Sequence, residues 1–464
     1  MAASVNKLAP GRILIKGGRI VDPWAGLDMT GDLLILKGKI EQVDREIRAA
    51  PGKDLLRIDA SGLIVCPGFI DLHTHLREPG FEDKETIATG AMAGAAGGFT
   101  TLCCMPNTEP SIDRAATVEY ILRKSSDAGS TRIRPIGCIT KGRKGTELAE
   151  MGELAGAGVV GFSDDGSPVH NSSLMRHALE YSRAFDLPVI DHCEDLSLSK
   201  GGVMNEGKVA ASLGLRGMPG AAEESMVERD IALARLTGGR LHLAHLSTAR
   251  SVELVRQAKE EGLLVTAEVT PHHLTMTEEW VTGRKDGMVE DSVFLGLNAY
   301  DTNAKVNPPL RTGEDIAALI KGLNTGVIDA IATDHAPHTR TGKECEFDKA
   351  EFGISGLETA LASLLLLVRR GDISLAGLIS KLTSGPVAVL GKSCSGQNGF
   401  KPGNEADVTV FNPEMEWIVD PDRLFSLGKN TPLKGCKLKG KVMMTLVGGK
   451  ITYIDKNIRT EVKV

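Results

Sequence analysis

The feature that most constrains this chain is a series of eight short apolar segments between about Cys66 and Leu390, each followed by polar or titratable residues. Amphipathic segments such as EESMVERDIALARLTG, with apolar residues at helical spacing, separate them. Alternating strands and helices indicate parallel βα units, and eight such units close a barrel, so the sequence predicts a (β/α)8 TIM barrel. The eight strand segments are CPGFIDLHTH, FTTLCCMPN, RIRPIGCIT, GVVGFSDDG, LPVIDHCED, RLHLAHLST, LLVTAEVTPHH and VIDAIATDHAPH.

Both ends of the chain show a different pattern, the alternation of apolar and polar residues that is typical of half-buried antiparallel strands. It occurs in ILIKGGRIVDP and DLLILKGKIEQVD near one end, and in ADVTVFNP and KVMMTLVGGKITYID near the other. The Gly448-Gly449 pair resembles Gly17-Gly18, which suggests similar turns. We therefore expect both ends to build one small composite β domain. The expected division is 1–65 for its N-terminal part, 66–391 for the barrel and 392–464 for its C-terminal part.

Composition argues against several classes of function. The 464 residues are 42% hydrophobic and 25% charged, as in ordinary globular proteins, and a net charge of −6 disfavours nucleic-acid binding. No apolar run reaches the roughly 18 residues of a membrane-spanning helix. The N-terminal MAASVNKLAPGR lacks the apolar stretch of a secretory leader, so we expect a cytoplasmic protein. The eight cysteines include no CxxC pair, and we expect them to be reduced.

Histidines and aspartates follow the predicted strands, at the end of the barrel where active sites form. Alternation along the first strand places Asp71, His73 and His75 on one face, so two imidazoles can point into the barrel mouth. Alone, this pair fits two structural histidines equally well. The other strand ends complete a ligand set for two divalent metal ions, and the nitrogen and oxygen ligands favour zinc. These further residues, after strands four, five, six and eight, are Asp165, His192, His245 and Asp334.

With these residues in place, the sequence resembles the amidohydrolase superfamily and, within it, the class I dihydroorotases. The resemblance implies the barrel fold, and the terminal β segments match the composite side domain of that superfamily. The motifs that carry it occur in order from residue 68 to about 361. They are GFIDLHTHLREPG, GGFTTLCCMPNT, FSDDGSPV, DHCED, HLAHLST, KVNPPLR, ATDHAPH and FGISGLETAL.

The resemblance implies two zinc ions per chain. Related hydantoinases are expected to bridge them with a carboxylated lysine, but GVVGFSDDG contains no lysine, so an aspartate is the better bridge. Asp334 would also take the proton from the attacking hydroxide and pass it to the leaving ring nitrogen. The alternative for Asp334 is a cap of the following loop. The implied ligands are His73, His75 and Asp334 for one ion, His192 and His245 for the second, and Asp165 as the bridge.

The resemblance also implies two groups of substrate contacts. A guanidinium offers a planar fork suited to a carboxylate, and an asparagine amide can donate beside it. The structural alternatives are a surface ion pair of Arg77 with Glu78, Glu82 or Asp83, and a loop cap formed by His338. The implied contacts are Arg77, Asn107 and His338 for the carboxylate, and Asn307 with the backbone around Phe352 and Gly353 for the ring amide edge.

Together these features imply a dihydroorotase, which reversibly cyclises N-carbamoyl-L-aspartate to L-dihydroorotate in de novo pyrimidine (UMP) biosynthesis. Arg77 argues against the alternative of a hydantoinase or allantoinase, whose substrate does not require that guanidinium. A further alternative is a non-catalytic partner of aspartate carbamoyltransferase, although buried Asp and His clusters without metal are unfavourable. A homodimer and a complex with that enzyme stay open. Glu351 stands where we expect a proline, which predicts a looser substrate loop.

Overall fold

The structure is a computed structural model that describes residues 11–49, 54–283, 299–394 and 399–462. Most of the N-terminal segment used above, residues 1–10, lies outside these ranges. Within them, no α-helix combines the length and the apolar composition that crossing a bilayer requires. All eight cysteines lie in the described part as free thiols, and all but Cys345 are buried, as predicted.

Nineteen strands lie in the described part of the chain. In chain order they are β1 (Arg12–Asp22), β2 (Leu27–Leu36), β3 (Lys39–Asp44), β4 (Leu55–Asp59), β5 (Ile64–Pro67), β6 (Phe69–Thr74), β7 (Phe99–Cys104), β8 (Arg132–Pro135), β9 (Phe162–Ser163), β10 (Val189–Asp191), β11 (Met204–Asn205), β12 (Gly217–Met218), β13 (Leu241–Leu243), β14 (Val265–Val269), β15 (Ala330–Ile331), β16 (Val408–Ile418), β17 (Lys437–Val447), β18 (Lys450–Ile454) and β19 (Arg459–Val462).

Fourteen α-helices lie in the same ranges, and most of them connect barrel strands. They are α1 (Ile87–Ala96), α2 (Ala115–Ala128), α3 (Met151–Ala157), α4 (Ser172–Ser182), α5 (Leu196–Ser199), α6 (Lys208–Leu213), α7 (Ala221–Thr237), α8 (Ala249–Glu260), α9 (Pro271–Thr275), α10 (Gly313–Thr325), α11 (Arg340–Lys343), α12 (Ala360–Arg370), α13 (Leu375–Leu382) and α14 (Ser384–Leu390).

Eight parallel strands form the barrel wall, and each lies in one of the eight predicted segments. Strands β6, β7 and β8 form one sheet, and β9, β10, β13, β14 and β15 form another. Parallel bridges between Gly137 and Phe162, and between Thr74 and His335, join the two sheets at both seams. The wall is therefore continuous, and the carboxyl ends of all eight strands meet at one mouth.

Apolar side chains from strands around the wall form one buried cluster. Ile70 of β6, Cys103 of β7, Ile190 of β10 and Ala330 of β15 belong to it, together with Leu390 of α14. Because these residues come from different sides of the wall and pack together, they fill the barrel interior below the mouth. Polar residues at the mouth therefore lie above a packed apolar layer.

The composite sheet, formed by β1–β5 and β16–β19, joins the two ends of the chain. Its order is β18–β17–β16–β5–β1–β2–β3, with β4 paired to β1 and β19. The pairing of β16 with β5 connects C-terminal and N-terminal segments directly, as predicted for a composite domain. The strand β5 ends at Pro67 and β6 begins at Phe69. The division into segments 1–65, 66–391 and 392–464 stays a prediction.

The two glycine pairs do not form similar turns. Gly448 and Gly449 connect the antiparallel strands β17 and β18, as expected of a hairpin. Gly17 and Gly18 instead lie inside β1, where the register against β2 shifts between Ile15 and Gly18. Gly17 has a φ of 69°, so the glycine supplies the left-handed conformation of a bulge. The expected similarity between the two pairs is wrong, because both features use the same residue type for different geometry.

Aromatic rings connect the composite sheet to the barrel. The buried ring of Phe69 on β6 lies 5.8 Å from the ring of Phe99 on β7 and 6.5 Å from the ring of Phe411 on β16. Thr409 Oγ1 donates a hydrogen bond of 2.6 Å to Gly98 O beside them. Barrel and composite sheet therefore share one packed interface.

We expect Phe69→Ala to lower the free energy of unfolding by about 3–5 kcal/mol, the usual cost of removing a buried aromatic ring. Denaturant titration followed by circular dichroism measures this change. Leu236→Ala is the control, because Leu236 is 63% exposed on α7 and should change stability little. Equal effects of the two substitutions would contradict the role of the Phe69 ring.

Candidate metal centre and active site

A cavity of about 280 Å³ opens at the mouth of the barrel. The sequence predicts twelve residues for the site, and all of them belong to the lining of this cavity apart from His73, which is fully buried. The structure therefore brings together residues that are up to 280 positions apart in sequence, from His73 to Gly353. The lining consists of His75, Arg77, Asn107, Arg143, Asp165, Gly166, His192, His245, Asn307, Asp334, Ala336, His338, Glu351, Phe352 and Gly353.

Asp165 lies at the centre of the four predicted histidine ligands. Its Oδ1 is 3.3 Å from His73 Nε2 and 3.6 Å from both His192 Nδ1 and His245 Nε2. Its Oδ2 is 3.6 Å from His75 Nε2. The ligand atoms form two overlapping groups that share this carboxylate. This is the arrangement that a bridging ligand between two metal ions requires.

The adjacent Asp164 has a different, structural role. Its Oδ1 accepts hydrogen bonds from Ile139 N and Thr140 N, at 2.9 and 3.1 Å, and its Oδ2 accepts one from Thr140 Oγ1. The carboxylate of Asp164 is thus saturated by the loop after β8, whereas that of Asp165 faces the histidines. Backbone alternation along FSDD separates the two roles.

The second ring nitrogen of three histidines is fixed by a partner. His73 Nδ1 lies 2.9 Å from Glu268 Oε1, and His75 Nδ1 lies 2.9 Å from Asn107 Oδ1. His192 is turned the other way, with Nε2 3.0 Å from Glu194 Oε2. Each of these oxygens accepts the ring N–H, which leaves a lone pair on the opposite nitrogen of the neutral ring for a metal.

Asp334 faces the first pair of histidines. Its Oδ1 is 3.0 Å from His75 Nε2 and 3.6 Å from His73 Nε2. The residue has a φ of 47°, a left-handed conformation that is unfavourable for aspartate. His245 and Arg77 also have positive φ, at 32° and 62°. Strained backbone thus occurs at three site residues, as is common where function fixes a side-chain direction.

The carboxylates give the site an excess of negative charge. Burial opposes ionisation of Glu268, but hydrogen bonds from His242 and His73 hold its pKa at about 2. Burial also opposes ionisation of Asp334, and the hydrogen bond from His75 with the charge of His73 holds its pKa well below the ordinary value. Burial disfavours a charged His192, yet Asp165 and Glu194 raise its pKa to about 10. Glu268 and Asp334 are therefore ionised, and their negative charges favour a cation beside them.

Asp71 differs from its predicted place beside the two histidines. The register between β6 and β7 shifts between Asp71 and Thr74, which is a bulge. The Asp71 carboxylate accepts hydrogen bonds from Thr333 N at 3.0 Å, Thr333 Oγ1 at 2.6 Å and His73 N at 3.1 Å. It therefore holds the backbone on both sides of the site, and it does not join the group of ligand atoms. Strict alternation overlooked the bulge.

The predicted carboxylate contacts lie together on one wall of the cavity. Arg77 Nη2 is 3.2 Å from His338 Nε2, and Arg77 Nε donates to Pro337 O at 3.2 Å. The surface ion pair considered for Arg77 is not formed with Glu78, which pairs with Lys124 at 2.8 Å. Burial, with the positive charges of Arg77 and Lys343, lowers the pKa of His338 to about 2, so its ring is neutral.

Asparagines complete this side of the site. The Oδ1 atom of Asn107 accepts from His75 Nδ1, so its Nδ2 remains as the donor toward the cavity. Asn307 Nδ2 donates to Glu194 Oε2 at 2.9 Å, which ties it to His192. Both residues line the cavity, and their roles toward a substrate stay predictions.

The loop at Phe352 and Gly353 is held by the protein itself. Gly353 N donates to Lys305 O at 2.9 Å, and Phe352 O lies 2.8 Å from His338 Nε2. A Cβ at Gly353 would lie 2.6 Å from Ala336 Cβ, so only glycine fits this close approach. Glu351 N donates to Gly342 O at 3.0 Å, a bond that proline cannot make. The expected loosening at Glu351 is therefore offset.

Two residues near the site were missed by the sequence reasoning. Glu268 on β14 contacts both His73 and His242, and Arg143 donates to Asp165 O and, at 3.0 Å, to Ser167 Oγ. The signal present in the sequence was a glutamate within the apolar strand VTAEV, because a glutamate that such a strand buries needs partners, and Glu268 is indeed buried. Arg143 is the last residue of a short 3-10 helix, Lys141–Arg143, which is too short for a periodic pattern to predict the direction of its side chain.

The donor set fits a metal centre. His73 Nε2 and Asp165 Oδ1 are buried and have no hydrogen-bond partner among the described residues. Such atoms are costly unless something else binds them. Imidazole nitrogens and carboxylate oxygens around them are the ligands of divalent transition metals. Histidines and aspartates of this chain therefore form a candidate site for metal.

Comparison with known proteins places the chain in a family. Residues 62–251 match a family model described as dihydro-orotase-like. The dihydroorotase of Syntrophus aciditrophicus (strain SB) is 48% identical over 442 residues, which cover 95% of this chain and 99% of that protein. The dihydroorotase of Caldanaerobacter subterraneus subsp. tengcongensis is 49% identical over 451 residues, which cover 97% and 99%. This chain belongs to the dihydroorotase family. The predicted family and the predicted enzyme class, a cyclic amide hydrolase, are confirmed.

Solved structures of two hydantoinases have the same fold. The L-hydantoinase (dihydropyrimidinase) from Arthrobacter aurescens superposes with a TM-score of 0.81 at 24% identity, covering 96% of this chain and 97% of that one. A D-hydantoinase gives 0.76 at 23% identity, with 96% and 95% covered. The protein thus has the predicted barrel together with a composite β domain.

We expect Asp165→Ala to lower the metal content per chain, because it removes the oxygen atoms shared by both ligand groups. Elemental analysis of the purified proteins measures this content. Asp164→Asn is the matched control, since the neighbouring carboxylate binds only the loop after β8 and its loss should reduce stability without loss of metal. Equal metal content in the Asp165 variant and the wild type would contradict the bridging position.

Proposed function

We propose that this member of the dihydroorotase family is a dihydroorotase that uses two zinc ions per chain. It would reversibly cyclise N-carbamoyl-L-aspartate to L-dihydroorotate, a step of de novo pyrimidine (UMP) biosynthesis. The observation that carries the proposal is the wall formed by Arg77 and His338 beside the Asp165-centred ligand atoms. It places cationic and neutral donors for a ring carboxylate next to the groups that can hold metal.

The ligands would be shared between the two ions. When bound, zinc supplies a Lewis acid that activates water and polarises an amide carbonyl. The four histidines carry no charge when their rings are neutral, and the two carboxylates together carry −2. Two divalent ions would therefore leave a positive centre that favours an anionic substrate. The proposed ligands are His73, His75 and Asp334 for one ion, His192 and His245 for the other, and Asp165 between them.

Asp334 is proposed as the proton carrier. In hydrolysis, its carboxylate takes a proton from the attacking water and returns it to the ring nitrogen as the carbon–nitrogen bond breaks. In cyclisation, the ureido nitrogen gives a proton to Asp334 as it bonds to the side-chain carboxyl carbon. Asp334 passes that proton to the departing oxygen, and with one further proton taken from solvent this oxygen leaves as water. The lowered pKa of Asp334 means that its carboxylate is ionised at neutral pH, the form that can take up a proton. Its hydrogen-bond distance to His75 fixes its direction.

The substrate would be held by three groups on the cavity wall. Arg77 offers a planar fork to the ring carboxylate, with Asn107 Nδ2 and the neutral His338 ring beside it. Asn307 and the loop at Phe352 and Gly353 face the ring amide edge. A substrate carboxylate that took the place of the His338 ring beside Arg77 would give the guanidinium an anionic partner in place of a neutral one.

The alternatives from the sequence are less well supported. A hydantoinase-type activity shares the fold, but the relatives quoted at 48–49% identity are dihydroorotases, whereas the hydantoinase structures are 23–24% identical. Membership of an enzyme family argues against a purely non-catalytic role. Cytoplasmic location, a homodimer and a complex with aspartate carbamoyltransferase stay predictions.

We expect Asp334→Asn to lower kcat by about 100-fold or more, the usual scale of losing a general base, in both directions of the reaction. The amide keeps the size of the side chain but cannot accept the proton. Steady-state assays with N-carbamoyl-L-aspartate and with L-dihydroorotate measure the effect. Near-normal turnover in both assays would show that another group carries the proton.

We expect Arg77→Lys to lower kcat/KM for dihydroorotate by a factor that corresponds to about 2–4 kcal/mol of lost transition-state stabilisation, because lysine keeps the charge and loses the two-point fork. Any turnover of dihydrouracil, which has no carboxylate, should change little. Assays of both substrates with wild type and variant make the comparison. Equal losses would assign Arg77 to support of the site, and a wild-type preference for dihydrouracil would refute the proposed function.

A further inference from the structure

Asn430 reaches the barrel mouth from the connection between β16 and β17. It is 4% exposed, and its carboxamide lies between two loops of the active-site wall. One loop follows β15 and includes Ala336 and His338. The other includes Gly353 and Ser355, close to the carbonyl of Phe352. Asn430 belongs to neither loop and lies about ninety residues further along the chain than His338.

The carboxamide of Asn430 uses all of its hydrogen-bonding capacity on these loops. Oδ1 accepts from His338 N at 2.9 Å and from Ser355 Oγ at 2.9 Å. Nδ2 donates to Ala336 O and to Gly353 O, both at 3.0 Å. The backbone oxygen of Asn430 accepts from Ser355 N at 2.8 Å. The side chain must accept from two donors with one atom and donate to two acceptors with another. Only a carboxamide offers both, through its oxygen and its NH2 group.

These bonds fix the relative position of groups proposed to hold the substrate. His338 is bonded through its backbone to Asn430, and its ring lies 3.2 Å from Arg77 Nη2. Gly353 is bonded through its oxygen to the same amide. The ring of His338 also contacts Phe352 O, so the two loops meet over the cavity. A shift of the amide would therefore change the distance between the carboxylate side and the ring-amide side of the wall.

We propose that Asn430 is a positioning residue for substrate binding, which sets the spacing of His338 and Gly353 and thereby the fit of a ring that carries a carboxylate. This inference rests on the dihydroorotase function proposed above. Asn430 itself does not line the cavity. Its effect is exerted through two backbone positions, and it contacts none of the proposed metal ligands in the bonds described here.

The experiment compares three alanine substitutions by steady-state kinetics on dihydroorotate, with metal content as a second readout. Asn430→Ala should raise KM about 10–100-fold, because displaced His338 and Gly353 would weaken hydrogen bonds to the charged carboxylate of the substrate, while kcat and metal content stay close to wild type. Ser355→Ala removes one of the bonds to Asn430 and should raise KM less, in the same direction. Asn412→Ala is the control, because the Asn412 side chain accepts hydrogen bonds from Glu414 N and Met415 N at an irregularity of β16, in the composite sheet, and its loss should leave KM unchanged.

A loss of kcat at unchanged KM, or a loss of metal, would overturn the proposal, because it would show general damage to the site. Unchanged KM in both the Asn430 and Ser355 variants would also overturn it. If Asn430→Ala does not fold, the KM of Ser355→Ala decides. Wild-type turnover of dihydroorotate tests the proposed function separately, so a wild type that is active with insensitive variants refutes only the role of Asn430.

Discussion

The closure of the barrel between β6 and β15 is the constraint on which the site depends. The buried carboxyl group of Asp71 accepts hydrogen bonds from Thr333 on one side of this seam and from His73 N on the other. Burial raises the pKa of Asp71 to about 7, in keeping with its fully buried position at the seam. Because Thr333 precedes Asp334, one side chain fixes both the first histidine and the proposed proton carrier. The first and last strands of the barrel are joined there by these hydrogen bonds.

Much of this arrangement could be predicted from the sequence, and for a simple reason. In a parallel barrel, residues that follow the carboxyl ends of the strands lie together at the mouth. Identifying the strands in the sequence therefore also identifies the candidate metal ligands. Asp165, His192 and His245 each follow a strand that the apolar pattern identifies, and they meet in space. The two chain ends were also recognisable, because half-buried antiparallel strands alternate in a way that barrel strands do not.

The parts that could not be predicted depend on irregular backbone or on contacts between distant loops. The bulge in β6 moves Asp71 away from the ligand group, and alternation gives no sign of it. Gly17 forms a bulge where its sequence suggests a turn. Asn430 lies in a loop between composite-sheet strands, and only the assembled fold shows that its amide reaches the barrel mouth. Such contacts have no period in the sequence, so pattern analysis passes over them.

The reversed orientation of His192 has a consequence for how the proposed metal centre tolerates change. His192 turns Nδ1 toward Asp165, while His73, His75 and His245 present Nε2. Counted in bonds from Cβ, Nδ1 of histidine corresponds to the side-chain oxygen of asparagine, and Nε2 lies one atom further, as in glutamine. Asparagine is therefore the nearest substitute for His192, and glutamine is the nearest substitute for the other three histidines of the proposed centre. A His192→Asn substitution would keep an oxygen atom within reach of Asp165, the proposed bridge. A His73→Asn substitution would place its oxygen one atom too short to replace Nε2.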